Sequence, residues 1–288
     1  MAHGQPRGSF TPPAFGQRRP WAELVFHVLA HVRGGRDQPA SVWEPRYVAW
    51  VAGLAGKAES RCLGQDARLL GQVARHQAMA ALQLMAWLFD GVEQAEAVAC
   101  RDIAQLGARE VAAPELLGPL AELGPLSEVL RAAALLEREV VDALPPPAPR
   151  LDELADRLVA LAKVAPELEQ SVVCCVRPLW LRGRVRGSEI WVGCPEADRG
   201  PTPEHVAWQA AHEATVHEVG RRSRHLGAAL TERVGEQVAL TLLKTRAAAR
   251  GLQREHARWL GHFGSLPPLG RDALGQDARA VFDSLGDV

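Results

Sequence analysis

His212, Glu213 and His217, followed by Glu236 after eighteen intervening residues, are the side chains in this chain best suited to metal chemistry. Imidazoles and carboxylates that converge on a zinc ion bind it at about 2.0–2.2 Å. A glutamate adjoining the first histidine is placed to take a proton from a metal-bound water, which then attacks a carbonyl. The familiar spacing for such a pair is H-E-x-x-H, which sets the two imidazoles about 40° apart around a helix. Here the spacing is H-E-x-x-x-H, and on an ideal helix the pair stands about 140° apart. A one-residue π-bulge between the histidines would bring them together, and such bulges concentrate at functional sites. The expectation is therefore a bulged helix carrying a zinc centre.

The surrounding residues supply elements able to position that centre. Thr202, Pro203 and Glu204 read as N-cap, first turn and favourable dipole position of a helix that carries the motif. Gly220 or Gly227 would end it. Val206, Ala210, Glu213 and His217 form one stripe and Trp208, His212, Val216 and Val219 the next, so both histidines are expected among apolar positions. Thr231 would cap the following helix, with Val234, Val238, Leu240, Leu242 and Leu243 inward. Glu236 lies on that helix, and Glu232, one turn earlier, is placed to support the ligands through hydrogen bonds. Upstream, 171–181 and 188–193 read as the two strands of an antiparallel hairpin, turned between Gly183 and Gly187. Pro178 would mark an edge position or a bulge.

In this arrangement the chain resembles the gluzincin metallopeptidases, whose H-E-x-x-H helix is followed by a glutamate eighteen residues later on the next helix. A six-residue version, H-E-x-x-G-H, occurs in the dipeptidyl peptidase III family; here Val216 stands in place of the glycine. The resemblance covers roughly residues 171–249. It implies a zinc-dependent peptidase with His212, His217 and Glu236 as ligands, Glu213 as general base and Glu232 supporting them. His256 and His262, in an aromatic setting with Trp259 and Phe263, are the first choices to stabilise the oxyanion. His225, Arg221, Arg224 and the sole tyrosine, Tyr47, are others. It also implies that a peptide or protein substrate lies along strand 188–194 by strand addition.

The expected fold class is mainly α with a small antiparallel hairpin or sheet, the C-terminal half being zincin-like. Residues 1–20 read as a disordered leader, 21–144 as a helical domain, 145–150 as a Pro-rich connector and 151–288 as the metal-binding domain; the two halves are able to pack as one unit. Helical periodicity in the first half falls on 21–32, 41–54, 63–89, 92–106 and 126–144, and in the second half on 152–164, 252–262 and 271–285. A net charge of −1 gives no reason to expect nucleic acid or an anionic membrane as partner. No apolar run is long enough to span a bilayer. Five cysteines without a C-x-x-C fit a reducing compartment, and the expected location is cytoplasmic. Cys174, Cys175 and Cys194 read as buried strand cysteines. His27 and His31 read as structural or solvated. Two other readings compete with the peptidase. One is an iron or manganese carboxylate–histidine protein that also draws on His205. The other is a non-catalytic helical interaction protein.

Overall fold

The computed structural model describes residues 20–31, 150–180, 183–195, 201–225, 232–263 and 274–286, with isolated positions besides. The expected helices between 41 and 144 lie outside the described residues apart from such positions, as do the leader to residue 19 and connector residues 145–149.

Leu151, Leu154, Leu158 and Leu161 recur every three to four residues, and they become the inner edge of a helix, Leu151–Leu161. A 3₁₀ turn, Pro166–Gln170, leads into strand β1, Val172–Cys175. Strands β2, Arg184–Arg186, and β3, Glu189–Val192, follow. Four further helices complete the described chain: Pro203–His225, Glu232–Ala249, Gln253–Phe263 and Gln276–Gly286. With Pro20–His31 as α1, these helices are α2 to α6 in chain order. The protein is thus mainly helical with a small mixed sheet, as the periodicity implies at this coarse level.

The sheet corrects one expectation. Its order is β1-β3-β2, and β1 pairs with β3 in parallel, Val173 opposite Ile190 and Cys175 opposite Val192. The antiparallel hairpin is formed instead by β2 and β3, Arg186 opposite Glu189. Its turn places Gly187 at φ 56°, the positive φ that the first residue of a type II′ turn requires. Pro178 lies in a turn after β1, where Leu179 N donates to Val176 O at 3.1 Å.

The alternation of β1 and β3 sorts their side chains onto two faces. Val173, Cys175, Ile190 and Val192 join the principal core with α2, α3, α4 and Trp259 of α5. Trp191, on the other face, meets Phe26 of α1 edge-on at 6.2 Å. α1 therefore packs on the sheet of the C-terminal half. His27, fully buried, bonds through Nδ1 to the Tyr47 hydroxyl at 2.6 Å, which agrees with a structural reading. A second core gathers Val219, Val238, Leu242, Val281 and Phe282 between α3, α4 and α6.

Candidate functional site

Thr202 caps α3 as its type implies, its Oγ1 accepting from His205 N at 3.2 Å. The helix then runs as α-helix from Pro203 to His225, continuing through Gly220. Residues 212–217 contain neither proline nor glycine, and the buried Thr215 hydroxyl bonds back to Ala211 O at 2.8 Å within the regular turn. The expected π-bulge does not form. Its absence has a packing reason: one inserted residue would rotate all that follows by about 100°. Val219, fully buried against α4 with Cγ1 4.0 Å from where a Gly235 Cβ would stand, would turn out of the core.

With the helix regular, the motif divides. His212 is 3 % exposed and packs against Trp259 of α5, ring centroids 5.5 Å apart. His217 points to solvent, contrary to the expectation of an apolar setting, and lines a cleft on another side of the helix. Glu236 is half-buried on α4, in the turn that meets Val219, about 10 Å along α3 from His212. His212, His217 and Glu236 are therefore not brought together, and this donor set does not fit one zinc ion. Among the described residues no three histidine, cysteine or acidic side chains form a group able to hold a metal. Glu232 opens α4, and its side chain lies outside the described residues, as do those of Arg224 and His225.

Glu213 has a different occupation. Its Oε1 accepts from Gly183 N at 2.8 Å and from Gln209 Nε2 at 2.6 Å. The carboxylate thus ties the start of β2 to α3. The fit is close: a Cβ on Gly183 would stand 2.6 Å from Glu213 Cγ and 2.8 Å from Trp191 O. Gln209, one turn before Glu213, is legible in the sequence only as an i, i+4 partner.

The proposed oxyanion residues sit in a seam between α3 and α5. His256 is 3 % exposed and stands edge-on to Trp208 at 5.2 Å and tilted to Trp259 at 5.6 Å. Burial, with Lys244 adding to it, pushes its imidazole down to about 4. Its Nε2 is buried and has no hydrogen-bond partner among the described residues. His205 is stacked on Trp180 at 5.9 Å and meets the exposed His262 at 5.6 Å. Burial, then the charge of His262, lowers it likewise to about 4. The repeated His-x-x-Trp of His205–Trp208 and His256–Trp259 is the sequence signal for this seam, one that motif reading passes over.

Strand addition at 188–194 is also closed. β3 is the central strand, occupied by β1 on one side and β2 on the other.

The cleft beside His217 has a volume of about 640 Å³, and its walls come from the 3₁₀ turn, the β2–β3 hairpin, α3, α4 and α6. On α3 it presents His217, Glu218, Arg221 and Arg222. Arg221 grips Glu218 through Nε and Nη2, each at 2.6 Å, and Arg222 Nε adds a bond of 2.9 Å. These arginines, Arg221 first, hold the Glu218 carboxyl below its usual range. Deeper, the 8 % exposed Arg246 pairs with Glu167 at 3.0 Å and donates to Leu285 O at 2.6 Å. That pair, 79 residues apart in sequence, joins α4 to the 3₁₀ turn and α6, and no local pattern announces it.

No family model, no curated protein and no solved structure matches this chain. No helix among the described residues is long and apolar enough to cross a membrane.

Proposed function

We propose that this chain is a helical binding protein whose cleft receives a small polar molecule bearing a carboxylate or a phosphate. The observation that carries the reading is the pair Arg221 and Arg222, 61 % and 42 % exposed, both engaged with the single carboxylate of Glu218 at the cleft wall. Two guanidinium groups offer more donors than one carboxylate accepts, and planar anions are recognised bidentately by such forks. His217 adds an imidazole N–H donor on the same side. The volume falls within the range usual for small-molecule sites. The regular phase of α3, which keeps the imidazoles of His212 and His217 on different sides of the helix, favours this reading over zinc-dependent peptide hydrolysis at His212, Glu213, His217 and Glu236.

Calorimetry and thermal melting with inorganic phosphate and with citrate test the proposal. A ligand at about ten times its Kd raises stability by about 1.4 kcal/mol. The expected result is such a rise with at least one of the two anions, abolished in the double variant Arg221→Ala/Arg222→Ala. If neither anion binds, or if the double variant binds as well as the parent, the proposal fails.

A further inference from the structure

His205 and His262 come together at one end of the α3–α5 seam, apart from both the H-E motif and the cleft. Their ring centroids are 5.6 Å apart with planes at 68°. His205 is 8 % exposed, its Nε2 is buried without a hydrogen-bond partner among the described residues, and the Trp180 indole stacks over its ring at 15°. His262 is exposed on the last turn of α5. One imidazole is thus held rigidly from inside, and its neighbour faces solvent.

We propose that His205 and His262 form a two-histidine site for a divalent cation of the zinc type. Two imidazoles bound to one ion through Zn–N bonds of about 2.0–2.1 Å place their centroids roughly 5–6 Å apart. The observed separation lies inside that interval. A buried imidazole nitrogen without a partner costs folding energy, and a cation bound at it would satisfy it. Imidazole nitrogen is a favoured donor for zinc and nickel among divalent ions. With two protein donors the remaining coordination positions stay open to water or to a ligand, the arrangement of an accessible site. Trp180, stacked on the face of the His205 ring, leaves the in-plane nitrogen lone pairs free of the indole and keeps the ring in place. The pair lies on α3 and α5, so a bound cation would clamp the two helices where their aromatic seam reaches the surface.

The test is zinc titration of the full chain by calorimetry, with metal content checked after dialysis. One Zn²⁺ per chain is expected. His262→Ala, at an exposed position, should weaken binding by roughly tenfold or more. His217→Ala should leave it unchanged. Because His205 is buried, His205→Gln is judged by circular dichroism first and carries weight only if folded. Bound Zn²⁺ should also raise the melting temperature of the parent and not that of His262→Ala. The proposal is overturned if the parent takes up no zinc, if His262→Ala binds as tightly as the parent, or if the loss follows His217→Ala instead.

Discussion

The two histidines of the H-E motif occupy two different environments on one helix. Toward α5, α3 presents Trp208 and His212, packed ring against ring with His256 and Trp259. Toward the cleft it presents His217, Glu218, Arg221 and Arg222, half-exposed or exposed, with Glu218 ion-paired to both arginines. The same residue type is thus a buried packing element at 212 and a solvated polar group at 217. Helical phase alone makes the difference, since five residues carry the side chain about 140° around the axis. Chemistry-bearing residues close in sequence need not share a site.

The largest expected break in this contrast is on the seam side. Trp208 is fully buried between α3 and α5. Trp208→Ala should destabilise the protein by about 3–5 kcal/mol through lost burial and the cavity left behind, measured by urea unfolding.

Acid should act on the same side. His205 and His256 have folded-state values of about 4 against the model-peptide 6.5. The unfolded chain therefore binds more protons between those values, so stability is fully present above pH 6.5 and is lost as pH falls toward 4. The loss is on the order of 3 kcal/mol for each histidine. Unfolding free energies measured from pH 7.5 down should show it, and a flat profile would refute the burial argument. His256→Phe should remove the His256 share of the slope.

A smaller effect is expected where α3 meets the sheet. Glu213→Ala removes the acceptor of two hydrogen bonds and should cost about 2 kcal/mol, whereas Glu213→Gln, which keeps an oxygen for Gly183 N, should cost less than about 1 kcal/mol. Gly183→Ala, forced against Glu213 and Trp191 O, should cost about 1–3 kcal/mol. Equal losses for the alanine and glutamine variants of Glu213 would show that the carboxylate does not anchor β2. The smallest effect belongs to the cleft. His217→Ala should alter stability by no more than about 0.5 kcal/mol, because the residue is exposed. A loss as large as that of a buried His212→Ala variant would remove the contrast.

Local signals in the sequence translated directly into structure. The leucine stripe of α2, the Thr202 cap, the Pro203 start and the α5 boundaries follow from neighbouring residues, and local hydrogen bonds and helical spacing express them. Gly187 is a turn residue whose positive φ was foreseeable from its type. Harder to read was the choice between a bulged and a regular helix at 212–217. Glu236 at a familiar interval argued for a bulge, but an interval in sequence does not state which way a helix faces. The contact of Val219 with α4 and the burial of Trp208 and His212 against α5 hold the regular phase. Strand order was equally illegible. The insertion of β3 between β1 and β2 is decided by pairing across the sheet, and alternation along a strand does not specify its neighbours.

By itself, then, the sequence determined that the described segments around 151–161, 203–225, 232–249 and 253–263 are helical and that Thr202 caps α3, because these depend on residues a few positions apart. Tertiary structure decided what the polar residues do. It buried His205, His212 and His256 among tryptophans, turned Glu213 into a tie between sheet and helix, and joined Arg246 to Glu167 across the base of the cleft. The physical reason is that burial and partner choice are set by elements meeting from distant parts of the chain, and the relative rotation of packed helices decides which donors converge.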